Sequence, residues 1–160
     1  MISESHIDSV VRDAFAAEGF ANENLRLDHF RRDGAIVSEV LYASCGLKNL
    51  SSVHPPLFCS YQLNPALRLS YNGNLHIRDP FCGKGYGAAF VHARERICTE
   101  LGIDAVVINL CTNPGFWKHM GYGRLGLRPF FGEWKTRTGD MRAKGIYLSV
   151  SSRFKRLSVQ

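Results

Sequence analysis

Ile7, Val10, Val11, Ala14 and Phe15 recur at intervals of three and four residues, the period of a helix with one apolar face. Ser3 or Ser5 can cap its start and Gly19 can end it, so residues 4–18 are expected to form an amphipathic helix. Leu25, Leu27 and Phe30 suggest a strand that ends at Asp33-Gly34, a hairpin-type turn. Residues 35–45 (AIVSEVLYASC) are rich in apolar and β-branched side chains and read as a strand largely buried on both faces. Residues 46–66 carry Ser51-Ser52, Pro55-Pro56 and Pro65 and read as a connecting loop suited to substrate contacts.

Leu67, Leu69, Tyr71, Leu75 and Ile77 alternate around Asn72-Gly73-Asn74. A two-residue Asn-Gly turn would set Leu69 against His76 and Ser70 against Leu75, pairing apolar with polar on both faces. A three-residue loop, or one long strand with a bulge at Gly73, is expected instead to keep the apolar residues on one side. Next come FCGKGYG (81–87) and a helix whose apolar face is Phe90, Ala93, Ile97, Cys98 and Leu101, stopped by Gly102. Ala105 to Cys111 (AVVINLC) is a short apolar run, as in a central strand. Asn113-Pro114-Gly115 is a turn before a short helix, FWKHMGY (116–122), and strand-like pieces follow around 124–131 and 145–150. Strand–helix–strand alternation in the middle argues an α/β or α+β fold with a mixed sheet.

At 160 residues the chain is expected to form a single domain, 1–160, of ordinary globular composition, 45% hydrophobic and 21% charged. No apolar run is long enough to span a bilayer and MISESHIDSVVRDAF does not read as a secretory signal, so the expectation is a soluble cytoplasmic protein without membrane contact. Five cysteines, at 45, 59, 82, 98 and 111, are odd in number and none is two apart, which favours free thiols over a disulfide framework or zinc ribbon. No metal is expected.

Charge is unevenly placed. Residues 1–122 carry 11 Lys+Arg against 12 Asp+Glu, whereas residues 123–160 carry 9 against 2, so the net +6 arises wholly in the last quarter. There Arg124, Arg128, Lys135, Arg137, Arg142, Lys144, Arg153, Lys155 and Arg156 interleave with Phe130, Phe131, Trp134, Tyr147 and Phe154. Such a segment suits an acidic partner, nucleic acid included; its commoner role is a solvated face.

The strand–FCGKGYG–helix unit carries the clearest chemistry. Gly83, Gly85 and Gly87 let the backbone turn tightly and bring several N–H groups to one point. The helix adds the positive end of its dipole and Lys84 a charge, a combination suited to a phosphate or pyrophosphate. A Walker loop is excluded because Lys84 is followed by Gly85 rather than Ser or Thr. A dinucleotide fingerprint fails because Gly85-x-Gly87 continues with Ala88-Ala89-Phe90.

IRDPFCGKGYGAAF (77–90) resembles motif A of the GNAT superfamily of acyl-CoA-dependent N-acetyltransferases, with Ile77 at its hydrophobic position and Gly85 and Gly87 at its two glycines. FWKHMGY (116–122) resembles that family's F-Y-E-K-L-G-F segment. The order of elements from 25 to 150 is also similar: two strands, the cofactor strand, helix, strand, short helix, two strands. The resemblance covers most of the chain. It implies a mixed, mostly antiparallel sheet flanked by helices, a three-layer α+β architecture. It also implies transfer of an acetyl or other acyl group from acyl-CoA to a primary amine in a ternary complex. A catalytically weak or inactive module of the same shape, binding CoA or nucleic acid, is the alternative, and a homodimer is compatible with either.

By the same resemblance, the backbone of Cys82, Gly83, Lys84, Gly85, Tyr86 and Gly87 would hold the CoA pyrophosphate, His76 and Ile77 would pair with the pantetheine arm, and Asn113 and Trp117 would face the cofactor. Gly73 is the candidate for the bulge that lets the thioester enter. The chain departs from the pattern at three points. Cys82 replaces Arg or Gln, Trp117 stands where a Tyr commonly protonates the leaving thiolate, and Asn113 and Phe116 are closer together than usual. Indole has a donor but no titratable proton in this range. His76, beside the cofactor strand, and Glu39, which interrupts an apolar strand, are the candidate general bases; each residue type is more often structural at such positions. A cysteine at a helix N-terminus can have a lowered pKa, but no base is apparent near Cys82, so its backbone is expected to matter more than its thiol.

Overall fold

The computed structural model describes residues 2–32, 34–42, 57–79, 81–109, 111–124 and 152–158. α1 (Glu4–Ala17) begins where Ser3 Oγ accepts from the His6 N–H at 3.2 Å, and it buries Ile7, Val11, Ala14 and Phe15. A short 3-10 turn (Asn22–Asn24) leads into β1 (Leu25–Arg32), which pairs antiparallel with β2 (Ala35–Tyr42) across Gly34 at φ 76°. β3 (Leu57–Asn64) and β4 (Leu69–Ile77) continue the antiparallel run. α2 (Tyr86–Glu100) crosses back to β5 (Ala105–Ile108), which lies parallel to β4. α3 (Pro114–His119), β6 (Gly123–Arg124) and β7 (Arg153–Arg156) complete the described elements. Among the described strands the sheet order is β1-β2-β3-β4-β5-β7-β6, with only β4 and β5 parallel. The expected mixed, mostly antiparallel sheet is present.

α1 and α2 pack on one face of the sheet. Phe15 meets Phe90 edge-on at 5.1 Å between ring centroids, and Phe20 meets Phe90 at 5.0 Å. These rings join Ile36, Val40, Leu57, Tyr61, Leu63, Ile97, Val106 and Trp117 in the main core. Ala35, Leu69, Tyr71, Ala105, Val107 and Phe154 form a smaller cluster from the alternate positions of the same strands.

Two elements differ from what the sequence pattern predicts. Residues 57–64 are not loop but a strand, so three strands precede the cofactor strand instead of two. Leu57, Cys59, Tyr61 and Leu63 are buried while Phe58, Ser60 and Gln62 are only partly so, which is a period-two pattern. The second concerns β4, which is one long strand with a bulge, as one alternative foresaw. Ser60 faces Asn74 and Gln62 faces Tyr71, so Tyr61 alone spans Asn72 and Gly73. The extra residue shifts the side-chain parity. Leu69 and Tyr71 belong to the smaller cluster, whereas Leu75 and Ile77 pack on the main core. The bulge therefore divides the apolar residues between two faces; it does not keep them on one.

The strand-like pieces at 125–131 and 145–150, Cys45, and most of the basic segment lie outside the described residues. Arg153 is buried, and Lys155 Nζ donates to both Glu95 oxygens (2.9 and 2.8 Å) and to the Met120 carbonyl (3.1 Å), tying β7 to α2 and α3. These two cations serve the fold. Among the described residues, no helix is long and apolar enough to cross a membrane.

Candidate functional site

The ladder between β4 and β5 consists of Leu69–Ala105 and Ser70–Val106. The bulge at Asn72–Gly73 follows at once. Beyond it β4 stays laddered to β3 as far as Ile77, while β5 pairs with β7 along its whole length. Neighbouring strands therefore part, and a wedge opens between β4 and β5 with its narrow end at Ser70.

The glycine loop stands where β4 ends. Gly83 and Gly85 adopt φ 75° and 82°, and Gly85 caps α2. Open space surrounds a side chain built at either position, so the left-handed backbone alone selects glycine. Residues 82–85 are exposed, and Lys84 lies 5.9 Å from the Phe81 ring. At Gly87 a Cβ would sit 3.4 Å from the Phe116 ring, so the two motifs read from the sequence touch. Asn113 Oδ1 accepts from the Phe116 N–H at 3.0 Å, which makes Asn113 the cap of α3.

Trp117 is buried against Tyr122 and Phe116 and lines a cavity of about 20 Å³ at the bulge with Gly73, Leu75 and Arg94. Arg94 belongs to neither sequence motif. It stands four residues after Phe90 and four before Cys98, on the apolar face of α2, and a charge at that spacing is the signal that could have found it. Only 5% of it is exposed. Its Nε and Nη2 both donate to Ser70 Oγ, at 3.1 and 2.8 Å, and its guanidinium lies 5.4 Å from the Tyr61 ring.

His76 and Ile77 lie along the wedge on β4. His76 is exposed on the face away from α1 and α2, and its Nε2 accepts from Arg78 Nε at 3.1 Å. Glu39 is half-buried on that same face, in a cross-strand row running Asp28–Glu39–Ser60–Asn74 that ends beside the bulge. At about 4.8 Å per strand, Glu39 is about 10 Å from Asn74. The structure thus gathers the loop and Trp117 around the wedge and leaves the two candidate bases on the opposite face. The exposed Cys82 thiol donates to the Ile77 carbonyl at 3.3 Å and is held above its ordinary pKa, first by desolvation and then by Asp79. Neither influence favours the thiolate. Burial pushes the Cys98 thiol up to about 11 and the Tyr61 and Tyr122 hydroxyls well up.

A second constellation, Ser38–His29–Asp8, has the residue types of a nucleophile relay. Ser38 Oγ is 3.1 Å from His29 Nδ1, and Nε2 is 3.9 Å from Asp8 Oδ1. Ser38 is fully buried, so no substrate can reach it. Burial lowers the His29 pKa below 6.5, against the opposing pull of Asp8 and Asp28. As pH falls below 6.5 the unfolded chain takes up a proton that the folded chain refuses, so stability is lost in that window. Thermal melts between pH 7.5 and 5 are expected to show this loss, and His29→Gln to reduce it. Equal pH slopes for the two proteins would refute the assignment.

No family model matches this sequence, and no characterised protein matches it in sequence. Solved structures do match. Tetrahymena GCN5 superposes over 100% of this chain and 92% of its own, with a TM-score of 0.58 at 12% identity. A Staphylococcus aureus Mu50 acetyltransferase of the GNAT family superposes over 98% of this chain and 96% of its own, with a TM-score of 0.50 at 11% identity. The fold is that of the GNAT acetyltransferases. Both comparisons span nearly the whole chain, so the likeness is one of overall fold.

Proposed function

We propose that this protein transfers an acetyl or other acyl group from coenzyme A to an amine. The observation that carries the reading is the wedge between β4 and β5, with a bulge at its narrow end and a glycine loop of left-handed backbone at its mouth. The N–H groups of residues 83–87 and Lys84 would take the pyrophosphate, and the β4 edge near Ile77 would hold the pantetheine arm by main-chain hydrogen bonds. The thioester carbonyl would then lie near the bulge, where a neutral amine approaching from the other face can attack it. Most of the rate would come from holding the two reactants together. We assign the amine proton to Glu39 or His76 through water, since both lie on that face, His76 exposed and Glu39 half-buried.

The acceptor, or its carrier, is proposed to be acidic because residues 123–160 carry the whole positive excess. A nucleotide, an RNA or an acidic protein would meet that charge. Release of CoA thiol from acetyl-CoA, measured against a panel of amines that includes acidic and RNA-linked ones, tests the whole reading. Acceptor-dependent release supports it, and release that weakens with salt and with charge reversal of Arg137, Arg142 and Lys144 supports the acidic acceptor. Acetyl-CoA binding without release for any amine would point instead to a binding module, a reading favoured by Trp117, which cannot protonate a leaving thiolate.

A further inference from the structure

Arg94 is a buried guanidinium that, among the described residues, has no carboxylate within ion-pairing distance. Its neighbour Glu95 is committed to Lys155. Among the described residues, its hydrogen-bond partner is a neutral hydroxyl, Ser70 Oγ. A buried cation is costly unless an anion compensates it, so a guanidinium kept here on an otherwise apolar helix face invites an anion from elsewhere.

Its place along the fold says which. α2 runs back along β4, and Arg94 is eight residues past Tyr86, about 12 Å at 1.5 Å per residue. Gly73 is four residues before Ile77, about 13 Å at 3.3 Å per residue. Both measures end at the same spot, because a Cβ at Gly73 would lie 2.9 Å from Arg94 Cζ. The guanidinium thus faces the narrow end of the wedge, one extended pantetheine arm away from the loop that would hold the pyrophosphate.

We propose that Arg94 stabilises the departing thiolate of coenzyme A, an inference that rests on the acyl-transfer reading above. The amine lone pair attacks the thioester carbonyl carbon and the C–N bond forms. The C–S bond then breaks, its electron pair leaves on sulfur, and the amine proton passes to the base or to water. Arg94 keeps all its protons and offers N–H donors to the sulfur anion as charge-assisted hydrogen bonds. No group at the narrow end then has to give up a proton. Trp117 has none that titrates, and the hydroxyls of Tyr61 and Tyr122 are fully buried.

The test needs no acceptor. CoA is bound to the full chain and its thiol is titrated by the ultraviolet absorbance of the thiolate, beside free CoA. In the unaltered protein the bound thiol is expected to ionise about tenfold more readily than free CoA, and CoA affinity to rise by the same factor with pH. Arg94→Met is expected to remove both effects, and Arg94→Lys to restore them in part. A bound thiol that titrates like free CoA in the unaltered protein would overturn the proposal while leaving the cofactor reading intact. So would an Arg94→Met protein that binds CoA and keeps the lowered thiol pKa. If CoA does not bind the folded protein at all, the acyl-transfer reading fails first and this one with it. Should Arg94→Met not fold, the unaltered protein and Arg94→Lys still decide the matter.

Discussion

Gly73→Val is expected to destabilise the protein by about 3 kcal/mol, the upper end for an overpacked interior, and to close the wedge. A Cβ at this position would lie 2.9 Å from Arg94 Cζ and 3.2 Å from Nη2. Arg94 cannot swing aside cheaply, because Ser70 holds two of its nitrogens and Tyr61 lies against it. One response is to expel the guanidinium. The other is to lose the bulge, which would turn Leu75 and Ile77 off the main core. Either outcome removes the narrow end at which the thioester is proposed to bind. A thermal melt should fall by roughly 6–12 °C for a chain of this size, and thiol release from acetyl-CoA should vanish. A variant that melts within about 1 °C of the parent and turns over normally would show that the bulge does not matter.

Gly85→Val isolates the loop. Gly85 sits at φ 82° with open space around a built side chain, so the substitution introduces backbone strain and no clash. A β-branched residue is a genuine outlier at that φ, at a cost of about 1–3 kcal/mol. The loop would relax by turning its N–H groups away from the pyrophosphate site proposed for them. Because the loop is exposed and the core lies elsewhere, the protein should stay folded. Acetyl-CoA affinity is expected to drop at least about 100-fold, since several charge-assisted hydrogen bonds are lost together. Affinity within threefold of the parent would mean that the pyrophosphate is held somewhere else.

Much of this site was legible in the sequence because it is built from backbone. Glycine is the signature of a left-handed φ, so FCGKGYG announced both the loop and the start of α2. Asn72-Gly73 announced an irregularity in β4, but not its consequence. Which face each apolar residue takes depends on one inserted residue, and a period-two pattern on either side of a bulge looks the same whether or not the parity shifts. β3 was hidden by its surroundings. Pro55-Pro56 and Pro65 bracket LFCSYQLN so closely that they mask the alternation of Leu57, Cys59, Tyr61 and Leu63. β7 was hidden by charge, for RFKR reads as solvated although Arg153 and Phe154 are buried and Lys155 is paired. Arg94 is the hardest of these to read from sequence. A lone charge on an apolar helix face is usually passed over, and only the contact of α2 with the bulge gives it meaning.

The most direct test of the central claim is a calorimetric titration of the folded chain with acetyl-CoA. The account predicts saturable binding in the micromolar range, competed by free CoA and lost in Gly85→Val. Absence of heat up to millimolar acetyl-CoA, from a protein with a cooperative melt, would contradict it and leave a GNAT fold put to another use.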